Sequence, residues 1–423
     1  MRRISIIGFG KIGQAIAANI LKQDIHVTAI DTNEELQKNF EEGKYETKEP
    51  GVGDILKSAY ANNKLVVTDD FSLIKGSDAI IIAIALLIDS QKKILDAPFL
   101  GVIKKIAPFA ENKTVIIIET SVPVGFSRKT VLPVLEAEGK LHNRDFLLAH
   151  SPERVKSGTM LKQLTQIPKV IGGISKEATE KVYEIYQWFF DKELLHQLES
   201  IEAAEMLKLA GMLYRDVNIA LSNQLAQFAN NAGINFTDLI PLINADKEAN
   251  LLQPGIGVGG HCTPVYPYFL IENFKQAGLD FTLAGQSRLI NDKMADYAAS
   301  LVKDKVKNKK ALLLGLGFRP NVKEDTLSTT YLLNDVLVKA GFEVYVHDVE
   351  FSEKEIKEKG FNPVNIYENG CEVAFLVTMH KEYNSIDFGR LAKSGVKYFV
   401  DGRNKINRDK VVEASMEYIG IGH

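Results

Sequence analysis

The sequence predicts an α/β protein: two doubly wound parallel sheets joined by a long central helix and a helical middle region. Three observations point there. Short apolar runs alternate with helical stretches over residues 1–200 and again over 306–423. Each of these regions opens with a strand that runs into a glycine turn, "ISIIGFGKIG" and "ALLLGLGF". Between them, residues 199–233 keep apolar residues at three- and four-residue intervals without a proline. A chain of 423 residues also exceeds what one hydrophobic core usually supports.

In order along the chain, "RISIIGFGKIGQAIAANILKQDIHVTAIDTN" passes from strand through turn to an alanine- and isoleucine-rich helix, then to a second strand ending at Asp31. Gly8, Gly10 and Gly13 have the spacing of a dinucleotide-binding turn: a tight bend, a close approach to a pyrophosphate, and a close helix–sheet contact. The pyrophosphate would sit on the helix N-terminus. Asp31, placed to hold both ribose hydroxyls, favours NAD over NADP. The competing reading is a plain strand–turn–helix.

Further strands are expected at "KLVVT", "AIIIAIAL", "TVIIIET" and "FLLAHSPER". The most apolar stretch, "DAIIIAIALLID" (78–89), is too short to span a bilayer and reads as one buried strand. The long helix should stop at Gly233 and, at that length, bridge domains or subunits, so dimerisation through it is expected. After it, "GIGVGGHCTPVYPYFL" (255–270) reads as a rigid loop presenting Cys262: glycines let backbone pass close to a ligand and prolines stiffen the exit. The charged "VKDKVKNKK" marks a boundary, and "ALLLGLG", "GFEVYVHDV", "EVAFLVT" and "KYFVDGR" supply a second set of strands. The expected domains are 1–200, 201–305 and 306–423.

Lys+Arg 51 against Asp+Glu 54 leaves a formal net charge of -3, which offers no whole-protein attraction to nucleic acid or an anionic membrane. The apolar run after Arg2 and Arg3 reaches glycines too soon for an export signal. Two distant cysteines fit a reducing cytoplasm rather than a disulfide framework. Cys371 heads an apolar run and is expected to be a buried small hydrophobe.

Taken together, "GFGKIG" with Asp31, "EPG" at 49–51, "SVPVG" at 121–125, "SPERV" at 151–155, "AEMLKL" at 204–209, "GVGGHC" at 257–262, "RLIND" at 288–292 and "VDGRN" at 400–404 resemble the UDP-glucose/GDP-mannose dehydrogenase family, in the family's order. The resemblance implies two Rossmann-like domains around a helical middle, NAD as cofactor, no metal, and oxidation of a nucleotide sugar at C6 from alcohol to acid. "SPER", "YRDVNIALSNQLA" and "GVGGHC" look like the branch acting on UDP-N-acetylhexosamines, with UDP-N-acetylmannosamine and UDP-N-acetylglucosamine dehydrogenases nearest. It also implies a homodimer or higher homo-oligomer, and a role in polysaccharide biosynthesis.

Carried over by resemblance, Cys262 is the nucleophile that forms a thiohemiacetal and then a thioester, Lys208 stabilises the oxyanion at C6, and Glu153 is the base for thioester hydrolysis. From spacing alone Lys208 would lie on a solvated helix face and Glu153 on the surface. Gly8, Gly10, Ile12, Gly13, Asp31 and Ser121 fall to the cofactor, with Ser121 near the nicotinamide. Glu153, Arg154, Lys208, Gly259, Arg288 and Arg403 fall to the substrate; for Arg288, Asn291 and Arg403 the alternative is a structural cap or ion pair.

Two departures bear on the chemistry: Met212 stands where the family has asparagine and Tyr266 where it has aspartate. One reading makes Tyr266, paired with Lys208, the acid/base of a reorganised site. The alternative is a nucleotide-sugar-binding homologue with impaired catalysis. A simple two-electron dehydrogenase would leave the Cys262 loop unexplained. Leu86 and Leu87 replace a family proline-threonine-proline turn, and "RPNVKEDTLST" departs from the uridine-side pattern.

Overall fold

Uninterrupted apolar runs such as "AIII" and "TVIII" cannot alternate between core and water, so they form strands covered on both faces. The computed structural model describes residues 2–423. It contains two compact units, one running up to Gly211 and including Tyr268–Ala277, the other comprising Met212–Pro267 and Gly278–His423.

The first unit holds an eight-stranded sheet: β1 (Arg3–Ile7), β2 (His26–Ile30), β3 (Leu65–Thr68), β4 (Ala79–Ile82), then, after a separate hairpin of β5 (Leu87–Ile88) and β6 (Ile94–Leu95), β7 (Thr114–Ile118), β8 (Phe146–His150), β9 (Lys169–Gly173) and β10 (Leu195–Gln197). The order is β10-β9-β8-β7-β4-β1-β2-β3. The order reverses between β1 and β4, which opens a crevice outside the carboxyl ends of the strands.

Two details differ from the sequence reading. The run 78–89 is not one strand: β4 ends at Ile82, and Leu87–Ile88 pairs antiparallel with Ile94–Leu95. Asp89 makes the turn, accepting from the N–H groups of Gln91 (2.8 Å) and Lys93 (2.9 Å). The sheet is also not parallel throughout, because β9 runs antiparallel to β8. Between them only a one-turn helix, Met160–Gln163, intervenes, so the chain re-enters the sheet at the end it left. The first residue of β9, Lys169, is thereby set at the carboxyl ends of β7 and β8.

The second unit carries six parallel strands, β11 (Lys310–Leu314), β12 (Glu343–His347), β13 (Asn362–Pro363), β14 (Val373–Leu376), β15 (Tyr398–Asp401) and β16 (Glu417–Gly420), in the order β13-β12-β11-β14-β15-β16. Its first turn repeats the chemistry of the N-terminal one: Asp348, just beyond β12, accepts from the N–H of Leu316 (2.6 Å) and of Gly317 (3.0 Å). Here, however, residues 318–328 intervene before the next helix, Thr329–Lys339, so this turn does not open a helix.

The long helix is Ile201–Ala232 and ends at Gly233, whose φ of 68° is the left-handed conformation glycine adopts freely. Cys371 is buried, and burial pushes its thiol up to about 12. Among the described residues no helix is long and apolar enough to cross a membrane.

Candidate active site

At the end of β1 the turn is built as a cradle. Gly8 has φ 92°, and a Cβ on Gly13 would lie 2.1 Å from the Gly8 carbonyl oxygen, so neither position admits a side chain. Gly10, by contrast, faces open space, with nothing within 4 Å of where its Cβ would be. It caps the helix Lys11–Leu21 without a side-chain hydrogen bond, leaving that N-terminus for an anion. Asp31 accepts from the Phe9 N–H (2.7 Å) and the Asn33 N–H (2.9 Å), and its carboxylate retains lone pairs for a ribose. Ile12 is half-buried against the core. These residues fit a dinucleotide.

At the carboxyl ends of β7 and β8 lies a buried charged cluster. Lys169 has three donors and three acceptors around it: the Glu119 carboxylate, the Glu153 carboxylate (3.0 Å) and the Ser151 carbonyl (3.1 Å). The Tyr186 hydroxyl donates to the other Glu119 oxygen. Glu153 also accepts from the N–H groups of Arg154 (2.6 Å) and Val155 (3.1 Å). Lys208, on the long helix, is buried and donates from Nζ to the Glu153 carbonyl oxygen at 2.6 Å. Glu153 and Lys208 are therefore brought together and neither lies on a solvated face.

Burial pushes the Glu119 carboxyl up to about 7, against the pull of Lys169, and repulsion from Glu153 adds to the rise. For Glu153 burial acts in the same direction, but the Lys169 ammonium, the Arg154 N–H and Lys208 together outweigh it and hold the carboxyl below its ordinary value. Lys169 would be lowered by burial, yet its two carboxylate partners raise it. Arg154 donates from its guanidinium to the Pro168 carbonyl.

The loop carrying Ser121 is fixed from two sides. Asn273 accepts from the Val124 N–H (2.9 Å) and donates to the Val124 carbonyl (2.9 Å). Glu205 accepts from the Gly125 N–H (2.5 Å) and the Ser127 N–H (3.0 Å), while burial raises its carboxyl to about 7. Ser121 itself is buried.

In the second unit the Cys262 loop lies against residues 318–328. A Cβ on Gly259 would stand 2.9 Å from the Leu327 carbonyl oxygen, and one on Gly260 would stand 2.8 Å from the Phe318 ring. The close approach these glycines permit is thus to protein backbone and an aromatic ring, where the sequence suggested a ligand. The Gly260 N–H donates to the Thr326 carbonyl (3.0 Å). The Cys262 carbonyl accepts from the N–H groups of Val265 (3.1 Å) and Tyr266 (2.9 Å), and Tyr266 begins the helix Tyr266–Gln276. Cys262 is half-buried.

Arg288 is held in a buried ion pair with Asp216 (2.6 Å) and a second with Asp292, and Asn291 donates to Asp216 (2.9 Å). Arg403 donates from Nε to the Val377 carbonyl (2.5 Å) and lies beside Gly255, whose Cβ would be 3.1 Å from its Nη1. Both arginines thus have the internal partners that the structural alternative requires.

Residues 2–190 match the NAD binding domain of the UDP-glucose/GDP-mannose dehydrogenase family, 202–293 its central domain and 312–408 its UDP binding domain. The chain belongs to this family. The enzyme is an NAD-dependent nucleotide-sugar dehydrogenase. It is 31% identical over 418 residues to the UDP-N-acetyl-D-mannosamine dehydrogenase of Methanocaldococcus jannaschii, covering 96% of this chain and 93% of the relative. It is also 31% identical to the UDP-N-acetyl-D-mannosamine dehydrogenase of Pyrococcus horikoshii, covering 97% of each. A solved structure of UDP-D-ManNAc dehydrogenase from Pyrococcus horikoshii superposes with a TM-score of 0.87 at 29% identity, covering 99% of both chains.

Glu119, Lys169, Tyr186 and Glu205 escaped the sequence reading. The available signal was a charge ending or opening a wholly apolar strand, "TVIIIET" and "PKVIGG", at the sheet edge where ligands bind in such folds.

Proposed function

We propose that the dehydrogenase oxidises C6 of a UDP-N-acetylhexosamine, UDP-N-acetylmannosamine first among them, to the uronic acid in two steps through Cys262. The observation that carries this reading is the Glu153–Lys208 pair: a buried carboxylate kept ionised by neighbouring cations, with an ammonium on its own backbone. The names of the most similar relatives support the substrate.

NAD, when bound, supplies the hydride acceptor for each oxidation. The Cys262 thiolate adds to the C6 aldehyde, forming a C–S bond and a thiohemiacetal whose second oxidation leaves a thioester. Lys208 stabilises negative charge on the C6 oxygen. Glu153 takes a proton from water as the water oxygen bonds to C6, and the tetrahedral intermediate collapses with the Cys262 thiolate as leaving group. Tyr266, in place of the family's aspartate, takes the proton of the C6 hydroxyl as the phenolate that the Lys208 ammonium favours, and Met212 removes a competing hydrogen-bond partner.

We further assign Ser121 to the nicotinamide side, Arg154 to the substrate, the cytoplasm as location, and a homodimer formed through the long helix. From its middle onward Tyr214, Leu221, Leu225 and Phe228 are exposed at heptad-like spacing.

The test is NADH formed per sugar consumed with UDP-ManNAc, UDP-GlcNAc, UDP-glucose and GDP-mannose. Two NADH with one UDP-N-acetylhexosamine, lost in Cys262→Ala and reduced at least about tenfold in Tyr266→Phe, is expected. Binding of NAD and the sugar without NADH would favour the impaired-catalysis alternative that Met212 and Tyr266 raise.

A further inference from the structure

The Glu119–Lys169–Tyr186 cluster has more acid than base. Lys169, Glu119 and Glu153 are all nearly inaccessible to water, and a single ammonium stands between two carboxylates. Like charges this close do not both persist in a dry site, so the cluster titrates as a unit and holds an exchangeable proton near neutrality.

The groups facing Glu119 and Lys169 come from every neighbouring element. Glu153 comes from the segment after β8, and Tyr186 from the helix Lys176–Tyr186. His150 comes from the end of β8, and Lys208, bound to the Glu153 carbonyl, from the long helix. His150 stays neutral because burial depresses its pKa to about 3. Glu153 is anchored by two backbone N–H groups on one oxygen, which favours its ionised form at rest and leaves Glu119 as the carboxylate on which a proton comes to rest.

We propose that Lys169 and Glu119 are positioning residues that form a proton relay behind Glu153. This rests on Glu153 being the base of thioester hydrolysis. Glu153 takes the proton of the attacking water; Lys169 accepts that proton while passing one of its own to Glu119. The balance is a regenerated Glu153 carboxylate, an unchanged Lys169 ammonium and a neutral Glu119 acid, whose other oxygen still accepts from the Tyr186 hydroxyl. No oxidant or further reactant is required. A small pocket of about 10 Å³, room for about one water, is lined by Pro152, Arg154, Gln163 and Phe190 together with Glu153 and Lys169, and is where the relay would return its proton to solvent. The value near 7 for Glu119 agrees with such a role, since the acceptor must be empty when the base fires and must discharge between turnovers.

The experiment is pre-steady-state NADH formation with NAD and the sugar substrate, with the mass of the acid-quenched enzyme read in parallel, on wild type, Glu119→Gln, Glu119→Asp and Glu153→Gln. Glu119→Gln keeps the shape and, with its carbonyl on Lys169, can donate its amide to the Tyr186 hydroxyl, but it cannot accept the proton. It is expected to give a normal burst of two NADH per site, then a steady state at least about tenfold slower, with the acyl adduct accumulating on Cys262. Its rate should also lose the rise that the wild type shows between about pH 6 and 8. Glu119→Asp should restore part of the rate and the pH dependence.

If Glu119→Gln keeps the wild-type rate and pH profile while Glu153→Gln traps the adduct, the relay is wrong and the base assignment stands. If Glu153→Gln hydrolyses the thioester normally, the base assignment fails and the relay with it. Loss of the burst itself in both Glu119 variants, with unchanged melting temperature, would place the cluster in substrate binding instead.

Discussion

His150 ends β8 with both ring nitrogens buried and without a hydrogen-bond partner. Burial, with Lys169 adding repulsion, depresses its pKa to about 3, against about 6.5 in an unfolded chain. Between those values the unfolded state binds a proton that the native state refuses. This group's contribution therefore makes stability fall as pH drops below about 6.5, by up to about 1.4 kcal/mol per pH unit, and it is fully relieved above that pH. Chemical denaturation of wild type and His150→Leu at pH 7.5 and 5 should show a smaller acid loss in the variant; equal slopes would refute the argument. Such a residue illustrates what single positions disclose. Lys208 and Glu153 stand in recognisable motifs, so their place could be read from the chain although spacing alone put both at the surface. Glu119 and Lys169 could not, because each looks like a charge flanking a strand, and they meet only because β9 runs antiparallel to β8.

The Cys262 loop shows the same limit one level up. Its glycines and prolines announce a rigid loop, and the strands around it follow from uninterrupted apolar runs, as does the long helix from its period and its glycine stop. What the glycines pack against depends on a segment more than fifty residues later in the chain, which no local pattern reveals. The hairpin after β4 was hidden for a related reason: its apolar residues continue the run of the buried strand, and only the Asp89 turn separates them. The two neighbours of Gly260 and Gly259 lead to distinct outcomes. Gly260→Ala strikes the movable end of the Phe318 ring and strains a φ of 99°; Gly259→Ala strikes the Leu327 backbone. Both should lower stability by about 1–3 kcal/mol and kcat by about tenfold or more. Adding Phe318→Ala should recover part of the loss in Gly260→Ala and none in Gly259→Ala, as measured by melting temperature and kcat. Equal rescue of the two would show that the loop is not held by these contacts.

At the scale of the whole molecule, motif order along the chain disclosed two nucleotide-type sheets and a helical middle, and both sheets do order their strands outward from the first, β1 and β11. Self-association could be expected from the sequence only through helix length, since exposure is a property of the folded surface. That surface now gives the expectation its content. Phe228 is 68% exposed and shares a stripe with Tyr214, Leu221 and Leu225 on the long helix, while Leu242, on the helix Phe236–Ile243, is 72% exposed. Soluble monomers rarely leave contiguous large apolar side chains in water, because each buried ring or branched chain stabilises association by about 1.5–3 kcal/mol. A second copy of the same stripe is the partner the heptad-like spacing suits, by the self-complementarity of a twofold interface. Light scattering on the purified enzyme should therefore give twice the chain mass or a multiple of it, and Phe228→Glu, which sets two carboxylates at or near the twofold axis, should weaken the association at least about a hundredfold. A wild-type enzyme that stays monomeric at micromolar concentration, or a Phe228→Glu variant that associates as tightly as wild type, would exclude this face as the interface.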